Sequence, residues 1–204
     1  MSLPRELLEA LAEDAEALAA LHDRELTAET IAALREVGFP ANLGLLPAGE
    51  HSIEAWHLMA AALEETDPGA LDQLAVDYAA IYLTGAYGAS PCESVWTDDD
   101  HLACQDAMFG LREIYAAAGL AAEDWRRRPD DHLVLQLLYI AHALRRSDGA
   151  EELRRLAAMM DEHLLRWLPE FAARIAARCE TPFFAVLAGL TFAWCEQLRD
   201  LLAE

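Results

Sequence analysis

There is no lysine in this chain. All 15 basic residues are arginine, set against 36 acidic ones, for a formal net charge of −21. A field of that sign repels phosphate backbones and anionic bilayers, so it excludes nucleic acid and stable membrane attachment and favours a cationic partner. Solvated helix faces account for most of the charge, since a net charge of about 2 to 8 already keeps a small domain soluble. The four cysteines, Cys92, Cys104, Cys179 and Cys195, form no CxxC pair. That excludes a zinc knuckle or thioredoxin-like site and predicts free thiols in a cytoplasmic setting. No apolar run follows a basic segment near the first residue, so no signal peptide is expected. The uncharged run Phe183–Cys195 is too short to cross a bilayer and predicts a core helix. There is no HExxH, no GxSxG and no glycine-rich phosphate loop, which removes the commonest signatures of hydrolase and nucleotide chemistry. Valine, isoleucine and glycine are scarce, and no useful stretch alternates with period two, so a sheet protein is excluded.

What remains is alanine and leucine at helical spacing. With 204 residues, 54% of them apolar, the chain can bury roughly 70% of its unfolded surface without a disulfide or metal. The prediction is one all-α globular bundle of eight to ten helices over residues 1–204, in two helical halves, about 1–120 and 129–204, joined by a hinge at about 120–128. Pro4 opens the first helix. A second runs from about Arg24 to Val37 and stops at Gly38 and Pro40. Ser52 is expected to cap a third, to about Glu65. Asp67 and Pro68 are expected to open a fourth that reaches Leu83. Residues 85–96 read as a long loop. Thr97 with Asp100 forms a capping-box pattern for a helix ending near Gly119. The next begins at Pro129 and ends near Ser147-Asp148-Gly149. Another starts at Ala150 and is interrupted at Pro169, and a further helix reaches about Cys179. Thr181-Pro182 starts the last, which is uncharged until Glu196 and so belongs at the centre.

Metal chemistry has little support. Neighbouring helical residues point about 100° apart, so "DDDH" and "DDH" cannot converge on one ion. One ExxH (Glu54, His57) and one DxxH (Asp98, His101) amount to half of a di-iron motif. Carboxylates at helix starts account for Asp98–Asp100 and for Asp130 and Asp131. His101 and His132 are left as structural histidines. Of the indoles, Trp96 and Trp125 sit among polar residues at helix boundaries and are expected to be half exposed. Semi-exposed indoles, an apolar loop and a negative field fit a peptide-binding surface better than an active site.

The stretches "DYAAIYLTG" (77–85), "SPCESVW" (90–96), "PDDHLVLQLLYIAHAL" (129–144) and "HLLRWLPEFAARI" followed by "TPFFAVLAGLTFAWCEQL" resemble the TorD/DmsD family, related to NarJ. The resemblance covers about residues 50–202. These are cytosolic, all-helical chaperones of molybdenum-cofactor oxidoreductases. The resemblance implies a non-enzymatic protein without cofactor or bound metal, which binds the twin-arginine signal peptide or another part of an apo-molybdoreductase, assists cofactor insertion and delays export. It places the peptide-binding residues at Tyr82, Pro91, Glu93, Ser94, Trp96, Pro129, Asp131 and His132, through the patterns P-x-x-S-x-W/Y and P-x-D-H, with Tyr78 as the other choice for the first tyrosine. It implies a monomer, allows a domain-swapped dimer and puts the swap hinge in "AAEDWRRRP". One departure stands out: Arg128 replaces the family's glutamate before Pro129. Physically, Asp131 is expected to take a bidentate arginine, and an apolar groove near Trp96 and Tyr82 to take the apolar stretch of a signal peptide. The competing readings are an adaptor for another basic, apolar peptide, and a metal-dependent hydrolase using Asp98, His101, Asp131, His132, Glu54 and His57.

Overall fold

Leucine and alanine at three- and four-residue spacing wind into helices throughout the computed structural model, which describes residues 3–67, 69 and 71–204. In chain order these are α1 (Arg5–Asp23), α2 (Ala28–Glu36), α3 (Glu50–Glu65), α4 (Leu71–Tyr78), α5 (Ser94–Thr97), α6 (Asp106–Ala117), α7 (Leu133–Arg146), α8 (Ala150–Met159), α9 (Leu165–Ala176) and α10 (Pro182–Ala203). A π-helical turn, Ala79–Leu83, extends α4, and another, Met160–Leu164, joins α8 to α9. Among the described residues there is no strand, only an isolated antiparallel bridge between Cys92 and His132. The chain is all-α, as its composition implies. No described helix is long and apolar enough to cross a membrane.

Helix α10, uncharged as far as Glu196, is the axis. Leu187, Leu190, Trp194, Cys195 and Leu198 are fully buried along it, and α3, α8, α9 and α4 pack around it. The longest contact between two other helices is that of α1 along α7. Helices before and after residues 120–128 therefore share one core, and nearly all the buried apolar side chains form one cluster from Leu8 to Leu202.

The boundaries differ from the spacing rules where tertiary bonds win. Helix α2 starts at Ala28, capped by Thr27, whose hydroxyl accepts from Thr30 N at 3.1 Å. Helix α3 begins two residues before Ser52, after Gly49 at φ +83°. The Ser52 hydroxyl instead donates to Gln197 Oε1 on α10 at 2.6 Å. Asp67 accepts from Gly69 N in a turn; Pro68, expected at the first position of α4, lies outside the described residues. The expected loop 85–96 already contains the start of α5. Thr97 is the last residue of that short helix rather than the cap of a long one, and its hydroxyl donates back to Glu93 O. Asp98–Asp100 open no helix: Asp98 Oδ1 accepts from Asp100 N, and the chain turns through left-handed His101 and Cys104 before α6 begins at Asp106. Helix α7 starts at Leu133, not Pro129, so Asp130 and Asp131 lie outside its first turn. The break after α8 is the π-turn, and Pro169 sits inside α9, which ends at Ala176. Thr181 and Pro182 do start α10.

Candidate functional site

Two short segments, 90–97 and 129–136, meet below the surface. Leu133 N donates to Pro91 O at 2.8 Å, and Glu93 N donates to Asp131 O at 3.2 Å. Together with the Cys92–His132 bridge, these bonds lay the proline loop against the start of α7. Side chains complete the joint. Asp131 Oδ2 accepts from Ser94 N at 2.8 Å, and Ser94 Oγ accepts from Gln105 N at 3.1 Å, which fixes the loop before α6. Gln136 Nε2 donates to Asp131 O and to Glu93 Oε2. His163, on the π-turn between α8 and α9, brings Nδ1 to 3.1 Å from Glu93 Oε1. Asp130, almost fully buried, takes two hydrogen bonds from Arg112 of α6, at 2.8 and 3.1 Å. Four elements are thus tied at one point.

Burial decides what this point can do. Glu93, Ser94, Asp131 and Gln136 are each 0% exposed, Pro91 and His132 are buried, and Pro129 is half-buried. Asp131, with one oxygen bound to Ser94 and the other enclosed, presents no face to an incoming arginine in this conformation. Its Oδ1, Gln136 Oε1 and Tyr115 Oη are buried without a protein partner. Such atoms in native interiors are commonly satisfied by internal water. His132 caps α7 by accepting from Val134 N on Nδ1 at 3.1 Å. Burial, then the Arg128 charge, pushes its pKa down to about 3, so its ring is neutral.

Trp96 and Tyr82 lie at the edges. Trp96 is half-buried: its Nε1 donates to Ser90 O, its ring meets Phe171 edge-on, and the Arg174 guanidinium lies 5.2 Å over it. Tyr82, on the π-turn after α4, bonds through its hydroxyl to His22 Nδ1 at 2.5 Å and packs on Tyr78 and Phe184. His22 Nε2 reaches Thr191 Oγ1 on α10 at 2.8 Å. Burial and the nearby His132 push the His22 pKa down to about 3. Tyr82 therefore belongs to a second cluster, built on His22 and Thr191. Arg128 also belongs here: it pairs with Asp23 at the end of α1. Tyr78 donates to Asp23 O.

The outward-facing part of the neighbourhood is different. Just after Trp96, Asp99 and Asp100 are exposed and Asp98 half-exposed. His101, on the same loop, holds Val95 O through Nδ1 at 2.9 Å. The groups of the metal reading do not converge: among the described residues no three His, Cys, Asp or Glu side chains are placed to share an ion.

Gln136, His163, Arg112 and His22 were not among the residues read from sequence. Gln136 had a signal: it falls on the stripe Leu133, Leu137, Ile140, Leu144, where a polar residue is out of place. His163 and Arg112 had none, because their partners are 70 and 18 residues away.

Residues 49–173, more than half of the chain and all of this joint, match the family model described as nitrate reductase delta subunit. The chain belongs to that family. It is 28% identical over 197 residues to the chaperone protein TorD of Shewanella oneidensis, covering 92% of this chain and 88% of that protein. It is 30% identical over 198 residues to the chaperone protein TorD of Vibrio cholerae, covering 92% and 89%. A third relative of that name, from Shewanella pealeana, is 32% identical over 141 residues, 65% of this chain and 62% of that one.

Proposed function

We propose that this chain is a redox-enzyme maturation chaperone. It binds the apo form of a molybdenum-cofactor oxidoreductase, takes hold of its twin-arginine signal peptide, and keeps it in the cytoplasm until the cofactor is in place. The observation that carries this is the convergence of the family's two motifs at one joint, with half-exposed Asp98 and exposed Asp99 and Asp100 just after the half-buried indole of Trp96. A pair of arginines followed by an apolar stretch matches carboxylates beside an indole. In this reading Pro91, Glu93, Ser94, Pro129, Asp131 and His132 position that surface from below, Tyr82 braces it through His22, and Trp96 makes contact. The work is holding, not turnover. Residues 120–128 are the stretch about which the two halves would hinge.

The test follows from burial. Asp131 and His132 hold the fold, so replacing them confuses unfolding with lost contact. The informative variant neutralises the exposed run, as Asp98→Asn/Asp99→Asn/Asp100→Asn, paired with Trp96→Ala. Tagged wild type should capture an unprocessed molybdoenzyme from its anaerobically grown host, and the variants should capture several-fold less while keeping the wild-type circular dichroism. If wild type captures no such enzyme from cells that express one, the chaperone reading fails and an adaptor for another basic peptide takes its place.

A further inference from the structure

The connection between α6 and α7 carries chemistry of the opposite sign. Trp125 is 37% exposed, and two guanidiniums lie over its ring: Arg112 at 4.9 Å and Arg126 at 4.6 Å from the centroid. Arg112 also lies 5.5 Å from the ring of Phe109, which is 51% exposed on α6. The Arg112 charge is taken by Asp130, and that of Arg128 by Asp23. Arg126 and Arg127 are exposed, and among the described residues neither has a carboxylate within ion-pair distance. Asp124, two residues before Arg126, turns its Oδ1 to the Arg126 backbone N–H instead. In a chain with 36 carboxylates, two adjacent unpaired arginines beside two exposed rings form a surface unlike the rest. Tryptophan and arginine are the residue types that dominate interface energetics, and both rings keep exposed surface for an apolar side chain.

We propose that Phe109, Trp125, Arg126 and Arg127 form a second contact surface, for an acidic segment bearing a large apolar side chain. Carboxylates of the segment meet Arg126 and Arg127, and the apolar side chain lies on the two rings. The proposal rests on the reading that the chain holds a client, and it assigns this contact to an acidic stretch of that client rather than to its twin-arginine segment. A twin-arginine segment is repelled here, so the surface also fixes which way round the client lies.

A labelled peptide of about a dozen residues, alternating Asp or Glu with Leu and Phe, is titrated against the full chain by fluorescence anisotropy. Two control peptides replace the acids by Gln and Asn, or the apolar residues by Ser. The acidic, apolar peptide should bind at least about tenfold more tightly than either control. Arg126→Glu/Arg127→Glu should abolish that preference without changing the circular dichroism, since both side chains are exposed. Equal binding of the three peptides, binding to none of them, or an unchanged preference in the double variant overturns the proposal. Client capture separates this from the broader reading. If wild type and double variant capture the same amount of molybdoenzyme, the surface is not used for the client and the inference falls while the chaperone role stands. If wild type captures none, the chaperone role falls with it, and a positive titration then reports only an acidic-peptide site.

Discussion

Several of the side chains that hold this molecule together are polar residues placed where an apolar one belongs. On α1, Leu7, Leu11, Leu18 and Leu21 recur at alternating four- and three-residue spacing, and the missing step is Asp14. It is buried and accepts from Gly44 N, Leu45 N and Trp194 Nε1. Burial raises its pKa in spite of those three bonds. Asp77 of α4 is fully enclosed and ties Thr181 N and Oγ1 and Tyr87 Oη, so it anchors the start of α10. The histidines give this scale a test. His22 bonds to Tyr82 and Thr191, and the charge of His132 acts on it; His132 caps α7, and the charges of Arg128 and Asp23 act on it. Both have folded pKa values near 3 against 6.5 when free. The unfolded chain therefore takes up the protons first. Their contribution is complete above about pH 6.5 and is lost as pH falls towards 3, at up to about 1.4 kcal/mol per pH unit for each ring. Urea unfolding at pH 7, 6 and 5 should show stability falling with pH. His132→Asn keeps a side-chain cap on α7 and should remove one ring's share of the slope. Parallel pH curves for wild type and variant would mean that His132 is not held neutral in the fold.

Elements are placed by a few close approaches, and glycine marks two of them with opposite consequences. A Cβ at Gly44 would stand 2.8 Å from Ala10 Cβ and 3.3 Å from its backbone carbon, where the loop before α3 presses on α1. Gly44→Ala should cost about 1–3 kcal/mol, since backbone has to move. At Gly110, inside α6, the nearest atom to such a Cβ is His163 Cε1 at 3.5 Å, an ordinary contact. Gly110→Ala should stabilise by about 0.5–1 kcal/mol through helix propensity. Thermal unfolding of the two variants decides both. A loss at Gly110 would mean that His163 has no room to stay on Glu93. The same scale shows where sequence reading succeeds and stops. Apolar spacing located the helices, and the start of α10 was legible from Thr181-Pro182. The starts of α6 and α7 were misplaced because Thr97 and Pro129 satisfy local rules that distant bonds override. Glu93 N and Leu133 N are spent on Asp131 O and Pro91 O, which draws both segments into a bridge instead of a helix. The resemblance named Pro91, Glu93, Ser94, Asp131 and His132, which meet at this joint, and Tyr82, which does not; their burial is a property of packing that no local pattern carries.

At the scale of the whole molecule, charge and binding divide the labour. A net charge of −21 acts over roughly 30 Å at about 0.01 M salt and only about 8 Å at about 0.15 M. On the proposed function, an arginine-pair peptide would be drawn in from a distance at low salt and would meet mostly local carboxylates, such as Asp98–Asp100, at physiological salt. Steering acts on encounter, while the residence time depends on apolar contacts that exclude water. Stopped-flow binding of a twin-arginine peptide with an apolar tail should show an association rate falling about tenfold or more over that salt range, with a dissociation rate changing far less. Trp96→Ala should do the reverse, shortening residence while leaving the salt dependence of association intact. If salt instead changes mainly the dissociation rate, screening acts on ion pairs that persist at the solvent-exposed rim of the complex, since buried pairs are screened much less; the carboxylates would then hold the peptide as well as steer it, and the buried Asp131 would still not be the contact.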